Sequence, residues 1–230
     1  MPKILCIETA TEVCSVAISS QGKLVALEEN HEGNAHASQL HLLVQKVLDS
    51  AGITLQDLDA VAVSKGPGSY TGLRVGVSAA KGYCYALGIP LIAINTLESL
   101  VRGQGLEERE ESAKKLFVPM LDARRMEVYC AVFDSYASMI QETEAKIIDE
   151  TSFADLLSSN EIYFLGNGAA KCKSMINHPN AKFLDDVLCS AKGMVHAAFE
   201  AFQSKRFEDT AYFEPFYLKD FVGTTPKKLV

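Results

Sequence analysis

The chain has 230 residues, of which 48% are hydrophobic and 22% charged, and its net charge is −7 at neutral pH. This length and apolar content are sufficient for a sizeable core, in one large domain or two small ones. The acidic balance disfavours autonomous binding of nucleic acid, which usually requires a basic face.

The cysteines and the N-terminus indicate a cellular compartment. The six cysteines form no C-x-x-C pair, and most lie in apolar runs, where a thiol behaves as a small hydrophobic group. The first residues, MPKILCIETAT, lack the basic and long apolar regions of a signal peptide. No run of about 18 apolar residues is present that could cross a membrane. We therefore expect a reduced, soluble, cytoplasmic protein that does not contact a membrane.

The first half of the chain alternates between strand patterns and helical patterns. The runs KILCIET, CSVAIS and KLVALEEN predict an antiparallel meander of three strands. A helix is predicted over residues 36–51, ended by Gly52, and further helices over residues 72–87 and from Thr96 onward. The runs LDAVAVSKG and GIPLIAIN predict strands between these helices. The order βββαβαβα predicts an α/β fold in which helices flank a mixed sheet.

A similar theme begins again after the charged stretch GLEEREESAKK. The run KLFVPMLDARRMEVYCAVFD predicts two strands joined at Asp122–Met126, and EIYFLGNGAAK predicts a strand, a glycine turn and the start of a helix. A last helix is predicted in SAKGMVHAAFEAFQSK, and AYFEPFYLKDF is predicted to be extended. We therefore expect two lobes, formed by residues 1–105 and by a smaller unit over residues 106–230.

A glycine-rich turn separates a predicted strand from the helix over residues 72–87. It reads Gly66-Pro67-Gly68-Ser69, and backbone N–H groups at the start of a helix favour an anion. The turn matches neither the Gly-Lys-Ser/Thr phosphate loop nor the G-x-G-x-x-G pattern. Two interpretations stay open, a phosphate-binding turn and a tight connection whose glycines allow close packing.

The helix that follows this turn carries both apolar and small residues. Leu73, Val77 and Ala80 lie on one apolar stripe, and Gly72 and Gly76 would let another backbone approach closely. The stripe is typical of a helix that packs on its own sheet. It is also typical of a helix at a subunit interface, and the sequence leaves both interpretations open.

Four motifs, taken together, resemble the bacterial TsaB (YeaZ) proteins. They are ILCIETATEVCSVAI, SKGPGSYTGLRVGVSAAKG, GIPLIAINTLESL and LDARRMEVYCAVF, and they cover residues 1 to about 135. LGNGAAK and PFYLKDF extend the resemblance more loosely. The resemblance implies an actin/Hsp70-like (ASKHA) fold of two lobes. It also implies a role in forming threonylcarbamoyladenosine, next to the anticodon, on tRNAs that read codons beginning with A.

The same resemblance implies partners. In that pathway TsaB proteins pair with the catalytic subunit TsaD, to which they are similar, and the ATPase TsaE completes the complex, so tRNA is expected to be contacted only through the complex. The family also forms homodimers through the helices offered to TsaD, so the two dimers would exclude each other. The expected interface residues are His36, Leu40, Leu43, Gly72, Leu73, Gly76, Val77 and Ala80.

The catalytic relative carries two metal-binding histidines one helical turn apart, in the motif His-Met-Glu-Gly-His. This chain reads INTLESL at the matching place, so Thr96 and Leu100 stand where the histidines would be. Leucine cannot bind a metal. His36 and His41 are five residues apart, which is about 140° around a helix, so they point in different directions. We therefore expect no metal site, which argues against a metallopeptidase.

The resemblance also implies where a nucleotide would bind in this fold. Glu8 stands at a position where the family more commonly has Asp, and the hairpin in the second lobe would face the same cleft. The candidate cleft residues are Glu8, Thr9, Thr11, Gly66, Gly68, Asp122, Arg124, Gly166 and Gly168. Such residues also serve simply as hairpin turns, tight connections and solvated charges.

We expect no productive ATP hydrolysis, because positioning groups supply most of phosphoryl-transfer catalysis, and here the usual glycines are missing and Glu8 stands in place of the more common Asp. Binding of ATP or ADP is expected to be weak or absent. The first hypothesis is therefore a non-catalytic subunit that binds and activates TsaD and requires no cofactor. The alternative is an ASKHA-type, nucleotide-dependent kinase of a small molecule.

Overall fold

The computed structural model describes residues 1–33, 36–104 and 115–219, and these residues form two five-stranded mixed sheets, each flanked by helices. This architecture confirms the predicted ASKHA-type α/β fold. The boundary predicted between residues 105 and 106 lies outside the described residues, as do most of the charged stretch before the second sheet and the end of PFYLKDF. The division into two domains at that boundary stays a prediction.

The first sheet contains the predicted meander. Its strands are β1 Lys3–Glu8, β2 Cys14–Ser20, β3 Lys23–Asn30, β4 Ala60–Gly66 and β5 Leu91–Asn95, arranged in the order β3-β2-β1-β4-β5. Strands β1, β2 and β3 pair antiparallel, whereas β4 and β5 run parallel to β1. The C-terminal ends of β1, β4 and β5 therefore lie at one edge of the sheet, where the candidate residues of this sheet cluster.

Three helices follow the strands in the predicted order. They are α1 His36–Ala51, α2 Tyr70–Leu87 and α3 Thr96–Arg102, with a short 3-10 helix at Leu55–Asp57. The bounds of α1 are those predicted from its apolar spacing. Helix α2 begins two residues before Gly72 because Ser69 caps it, and the Ser69 hydroxyl accepts a 3.2 Å hydrogen bond from the Gly72 N–H.

Helices α1 and α2 cover one face of the first sheet. Their buried side chains pack with Leu5, Ile7, Val61 and Val63, which alternate along β1 and β4 with residues of the other face. The apolar stripe predicted on α2 is confirmed by its burial. The buried residues are Leu73, Val77 and Ala80 of the stripe, with the adjacent Gly72 and Gly76. Apolar burial on this face holds both helices against the strands.

The second sheet has the order β10-β9-β6-β7-β8. Its strands are β6 Lys115–Asp122, β7 Glu127–Phe133, β8 Met139–Ile147, β9 Glu161–Leu165 and β10 Ala181–Leu184, with a short helix α4 Ala154–Leu157 and a 3-10 helix at Ala170–Cys172. The hairpin of β6 and β7 and the strand β9 are confirmed. Strands β8 and β10 and helix α4 were not predicted from the sequence.

The last helix returns to the first sheet. A 3-10 helix at Ala191–Met194 leads into α5 Val195–Gln203, where the sequence predicted one continuous helix. Both segments pack on Ile4, Cys6 and other side chains that alternate with those facing α1 and α2. Helix α5 therefore covers the opposite face of the first sheet, although it belongs to the sequence of the predicted second lobe.

The described part of the tail runs back along α2. The Lys81 ammonium donates 3.1 Å hydrogen bonds to the carbonyls of Ala211 and Phe213. The Phe216 N–H then donates to the Lys65 carbonyl at 2.7 Å. The tail forms no β-strand over its described residues, apart from an isolated bridge near Leu91. Within the described part of the chain, no helix is both long enough and apolar enough to cross a membrane.

Candidate functional site

The residues expected at the partner interface are buried in the chain itself. His36 is 9% exposed and the apolar members of the set between 0% and 4%, and both glycines are buried. The eight residues are His36, Leu40, Leu43, Gly72, Leu73, Gly76, Val77 and Ala80. Leu40, Leu43, Val77 and Ala80 pack in the same apolar cluster as strands of the chain's own first sheet. An interface on the same two helices stays a prediction, but it would use other side chains.

Gly72 and Gly76 allow the end of β1 to approach α2. A Cβ atom at Gly72 would overlap the carbonyl oxygen of Thr9, and one at Gly76 would overlap its hydroxyl. The Thr9 hydroxyl donates a 2.8 Å hydrogen bond to the Gly72 carbonyl. Nearby, the His36 Nε2 atom donates to the Thr11 carbonyl at 2.7 Å. These contacts fix the turn after β1 against both helices.

The glycine turn before α2 is filled by carbonyl oxygens. A Cβ atom at Gly66 would lie 2.7 Å from the Phe216 carbonyl oxygen, and one at Gly68 would overlap the Ala10 carbonyl. The Ser69 N–H donates to that same Ala10 oxygen at 2.7 Å. Carbonyl oxygens repel an anion, so this packing favours a tight connection over a phosphate-binding turn.

Glu8 is a fully buried carboxyl at the end of β1. Its Oε1 atom accepts a 2.6 Å hydrogen bond from the Ala10 N–H, while Oε2 has no hydrogen-bond partner among the described residues. Burial raises the pKa of Glu8 to about 7, and hydrogen bonds from Ala10, Ser64 and Thr9 oppose that rise. Glu8 therefore holds a proton more readily than an ordinary carboxyl does.

The segment before α5 lies beside the turn that contains Thr11. Cys189 is buried there, and this burial together with the nearby Glu8 charge raises its pKa, while a hydrogen bond with Thr11 lowers it. The Ser190 hydroxyl donates to Glu29 Oε1 at 2.6 Å. The segment therefore occupies space next to the turn that contains the candidate cleft residues Thr9 and Thr11.

Asp122 and Arg124 stand at the tip of the second sheet's hairpin. The Asp122 carboxylate accepts hydrogen bonds from the Lys171 ammonium and, at 2.9 Å, from the Arg124 N–H. Burial raises the pKa of Asp122, but these hydrogen bonds outweigh it, and the pKa lies below its usual value. Lys171 also donates to the carbonyls of Arg125 and Glu127, both at 2.7 Å. The Lys171 side chain thus links residues on both sides of the hairpin turn.

Gly166 and Gly168 form a tight connection after β9. Gly166 has φ +101°, and a Cβ atom there would lie 2.5 Å from the Met120 carbonyl oxygen. The Gly168 N–H donates to the same oxygen at 2.9 Å, and the Asn167 side chain accepts from the Asp122 N–H at 3.1 Å. These residues therefore pack against β6 of their own sheet.

The nine predicted cleft residues thus fall into two groups, each held together by contacts on its own sheet. The first group surrounds Thr9 and the glycine turn, and the second surrounds Asp122. Leu100 lies against the second group, because its Cδ2 atom is 2.8 Å from the position of a Cβ at Gly166. Such packing supplies close connections rather than a preformed phosphate cradle.

Thr96 and Leu100, the two positions that the resemblance aligns with metal-binding histidines, are buried. Thr96 is 0% exposed, and Leu100 packs in an apolar cluster with side chains of the second sheet. The Asn95 side chain caps α3, accepting from the Leu97 N–H at 2.8 Å. Within the described ranges, no three His, Cys, Asp or Glu side chains come together in a way that could hold a metal ion.

The exposed face of α1 and α2 carries a different set of side chains. Leu42 is 55% exposed and Tyr85 is 89% exposed. Ser78, Gly82 and Ala86 are also exposed and follow one another at intervals of one helical turn. A Cβ atom at Gly82 would meet nothing within 4 Å. The spacing of four residues between these small side chains is visible in the sequence. It does not show which face of α2 is exposed, because small residues such as Gly72 and Gly76 also lie on the buried face.

Comparisons with known proteins identify relatives over nearly the whole chain. A family model described as TsaD, tRNA N6-adenosine threonylcarbamoyltransferase, matches residues 30–230. The tRNA threonylcarbamoyladenosine biosynthesis protein TsaB of Escherichia coli is 30% identical over 227 residues, covering 96% of each chain. The TsaB protein of Haemophilus influenzae is 27% identical over 235 residues, covering 98% of this chain and 96% of its own.

A solved structure shows the same fold. A protein of Pseudomonas aeruginosa, described as uncharacterized with similarity to peptidase YEAZ, superposes with a TM-score of 0.82 at 24% sequence identity. The match covers 95% of this chain and 100% of the other. The relatives in sequence extend over nearly the whole chain. The chain belongs to the TsaB (YeaZ) family of proteins related to TsaD.

Proposed function

We propose that this chain takes part in tRNA threonylcarbamoyladenosine biosynthesis as a non-catalytic subunit that binds and activates a TsaD-like catalytic subunit. A TsaE-like ATPase completes the complex, and tRNA is bound only through the complex. The observation that carries this proposal is that α1 and α2 expose both large apolar and small side chains to solvent.

The exposed face has the features of a helix-packing surface. Ser78, Gly82 and Ala86 present little volume, so the backbone of a partner helix can approach α2 closely. Tyr85, three residues after Gly82 on α2, and Leu42 on α1 supply exposed apolar side chains, which can act as anchors at an interface. A second copy of the chain presents the same surface, so the homodimer and the complex with TsaD would compete for it.

The close packing of the glycine turn before α2 supports the proposal that this chain is not catalytic. Carbonyl oxygens of Ala10 and Phe216 stand against Gly68 and Gly66. Leu100, which the resemblance aligns with a metal-binding histidine, packs in an apolar cluster. We therefore propose that the chain requires no cofactor and binds ATP or ADP weakly or not at all. For the alternative, a small-molecule kinase, heat released on titration with ATP and magnesium would be the supporting result.

The test is a substitution on the exposed face with a matched control. Gly82→Arg places a long charged side chain on the stripe where nothing lies within 4 Å, so the monomer should fold. Gln203→Arg adds the same side chain to α5, on the opposite face of the first sheet. We expect Gly82→Arg to abolish co-elution with the TsaD-like subunit and Gln203→Arg to leave it unchanged.

Activity is measured as transfer of threonylcarbamoyl to tRNA by the TsaD-like and TsaE-like subunits, with and without this chain. We expect product only when the wild-type chain or Gln203→Arg is added. If the two other subunits suffice alone, the activating role is wrong. If Gly82→Arg still co-elutes and activates, the interface lies elsewhere on the molecule.

A further inference from the structure

The described end of the tail crosses from the first sheet to the second. On the first sheet, the Phe216 N–H donates to the Lys65 carbonyl at 2.7 Å, and the Phe216 carbonyl oxygen lies 2.7 Å from where a Cβ at Gly66 would be. On the second sheet, the Lys219 ammonium donates to the Glu127 carboxylate. A chain from residue 216 to residue 219 can span at most about 11 Å. Residues 216–219 therefore form a short strap between the two sheets.

The strap is anchored on the first sheet by several contacts. Besides the bond to Lys65, the centroid of the Tyr217 ring lies 4.8 Å from that of Tyr70, the first residue of α2. The Arg74 guanidinium carbon lies 5.5 Å from the centroid of the same Tyr70 ring. Ring contacts and cation–π contacts both stabilise such a cluster. Lys81 holds the tail residues that precede the strap.

On the second sheet, by contrast, the strap ends on a partly exposed ion pair. The side chains of Lys219 and Glu127 are 42% and 22% exposed. Such a pair contributes little stability and is weakened by salt. It lies beside the second group of candidate cleft residues, because Lys171 donates both to the Glu127 carbonyl and to the Asp122 carboxylate. The strap therefore joins the glycine turn to the group around Asp122.

The two sheets also meet through a buried apolar contact. Leu97, Leu100 and Val101 of α3 pack in one cluster with Phe117 and Leu121 of β6, and each of these residues is at most 2% exposed. This cluster holds the sheets together whether or not the strap is in place, because apolar burial does not require the ion pair. The strap can therefore open without separating the two sheets.

We propose that the strap is a releasable closure of the space between the two groups of candidate cleft residues, with the ion pair of Lys219 and Glu127 as its latch. While the latch is closed, the Phe216 carbonyl stays in the glycine turn, and the length of the strap limits how far the two groups can separate. When the ion pair breaks, the strap moves away, the Tyr217 ring leaves Tyr70, and the glycine turn becomes accessible. A rise in ionic strength favours this open form, because it screens the ion pair.

The experiment is amide hydrogen exchange of the isotope-labelled full chain, measured at the Phe216 N–H. This amide is protected by its bond to Lys65, so its exchange rate reports how often the strap opens. We expect Lys219→Met to speed the exchange about threefold to fivefold at low salt, the effect of losing an exposed ion pair. The Glu208 N–H donates to the Leu91 carbonyl at 2.9 Å earlier in the tail and should exchange at an unchanged rate.

Salt provides a second test of the latch. Raising the ionic strength from about 0.01 M to about 1 M shortens the Debye length from about 30 Å to about 3 Å. We expect exchange of the Phe216 N–H in the wild type to rise towards the rate of Lys219→Met. The exchange rate of Lys219→Met itself should change little, because its latch is already broken.

A charge exchange tests whether Lys219 and Glu127 act as a pair. Glu127→Lys and Lys219→Glu each bring like charges together, so each alone should speed exchange at Phe216. The double variant restores opposite charges and should return to the wild-type rate. Lys173→Glu is the matched control, because it disrupts an ion pair with Asp185 elsewhere on the chain and should leave exchange at Phe216 unchanged.

Four results would overturn the proposal. Exchange at Phe216 that is unchanged in Lys219→Met, or that does not respond to salt in the wild type, would show that the ion pair does not hold the strap. A double variant that exchanges as fast as the single ones would show that the two charges do not act together. Equal acceleration by Lys173→Glu would assign the effect to overall charge. These measurements use the chain alone, so they test the strap separately from the proposed function.

Discussion

The hydroxyl of Thr9 occupies the space that a Cβ atom on Gly76 would fill, and it donates a 2.8 Å hydrogen bond to the carbonyl of Gly72. The end of β1 and the first half of α2 therefore meet with no side chain of α2 between them. Gly82, six residues further along the same helix, has open space around it. Two glycines of one helix thus have opposite structural roles.

We expect Gly76→Ala to lower the free energy of unfolding by about 2 kcal/mol. Overpacking against Thr9 costs about 1–3 kcal/mol and the Thr9 hydrogen bond is strained, while helix propensity returns only about 1 kcal/mol. Gly82→Ala is the matched control and should raise stability by up to about 1 kcal/mol. Urea unfolding followed by circular dichroism measures both, and equal effects of the two substitutions would contradict the packing described here.

The raised pKa of Glu8 predicts a pH dependence of stability. The pKa is about 7 in the folded chain, against an ordinary value of 4.5. The folded state therefore binds the proton more tightly, and this contribution is complete below about pH 4.5 and lost as the pH rises through about 7. We expect Glu8→Gln, which stays neutral, to remove a dependence of up to about 3 kcal/mol across this range.

The control for Glu8 is Glu12→Gln, which neutralises an exposed carboxyl in the same turn. Urea midpoints measured at several pH values should run parallel for the wild type and Glu12→Gln. The Glu8→Gln profile should be flatter between about pH 4.5 and pH 7. A Glu8→Gln profile parallel to the wild type would show that the pKa of this carboxyl is the same in the folded and the unfolded chain.

Lys171 is predicted to stabilise the hairpin of β6 and β7. Its ammonium donates to Asp122 and to the carbonyls of Arg125 and Glu127. Because these are charge-assisted bonds on a partly exposed group, we expect Lys171→Met to destabilise the chain by about 1–2 kcal/mol. Lys173→Met breaks only an exposed ion pair with Asp185 and should cost less than about 1 kcal/mol. Thermal unfolding and amide exchange in the hairpin distinguish the two.

Lys81 is predicted to hold the tail against α2. Its two hydrogen bonds end on the carbonyls of Ala211 and Phe213. We expect Lys81→Met to speed tryptic cleavage at Arg206 about tenfold, since local opening becomes easier by the free energy of about one hydrogen bond. Lys46→Met, on the exposed face of α1, is the control. Equal cleavage rates in all three proteins would show that Lys81 does not restrain the tail.

The sequence predicted the elements that bury one face of apolar side chains and expose the other. Helix α1 was located from end to end because its apolar residues repeat at helical spacing and face one sheet. Strand β8, MIQETEAKI, was missed because it lies at a sheet edge, is mostly exposed, and so lacks alternation. Strand β10 has only four residues, which is too short for a periodic signal.

The site was predicted less well, for a physical reason. Small residues occur on both faces of α2, and only the contact with Thr9 shows that Gly72 and Gly76 face inward while Gly82 faces outward. Lys171 was not identified because it lies 49 residues from Asp122 in the sequence. Its position depends on how β9 pairs with β6, which spacing alone does not specify.

The position of α5 has a consequence for synthesis on the ribosome. Ile4, Cys6 and the other side chains on that face of the first sheet are covered by residues Ala191–Gln203, which are translated long after β5 is complete. At a translation rate of about 5–20 residues per second, this face of the sheet stays uncovered for roughly 5–20 s. During that time a nascent chain would expose an apolar surface, which makes it a natural client for chaperones that bind emerging polypeptides.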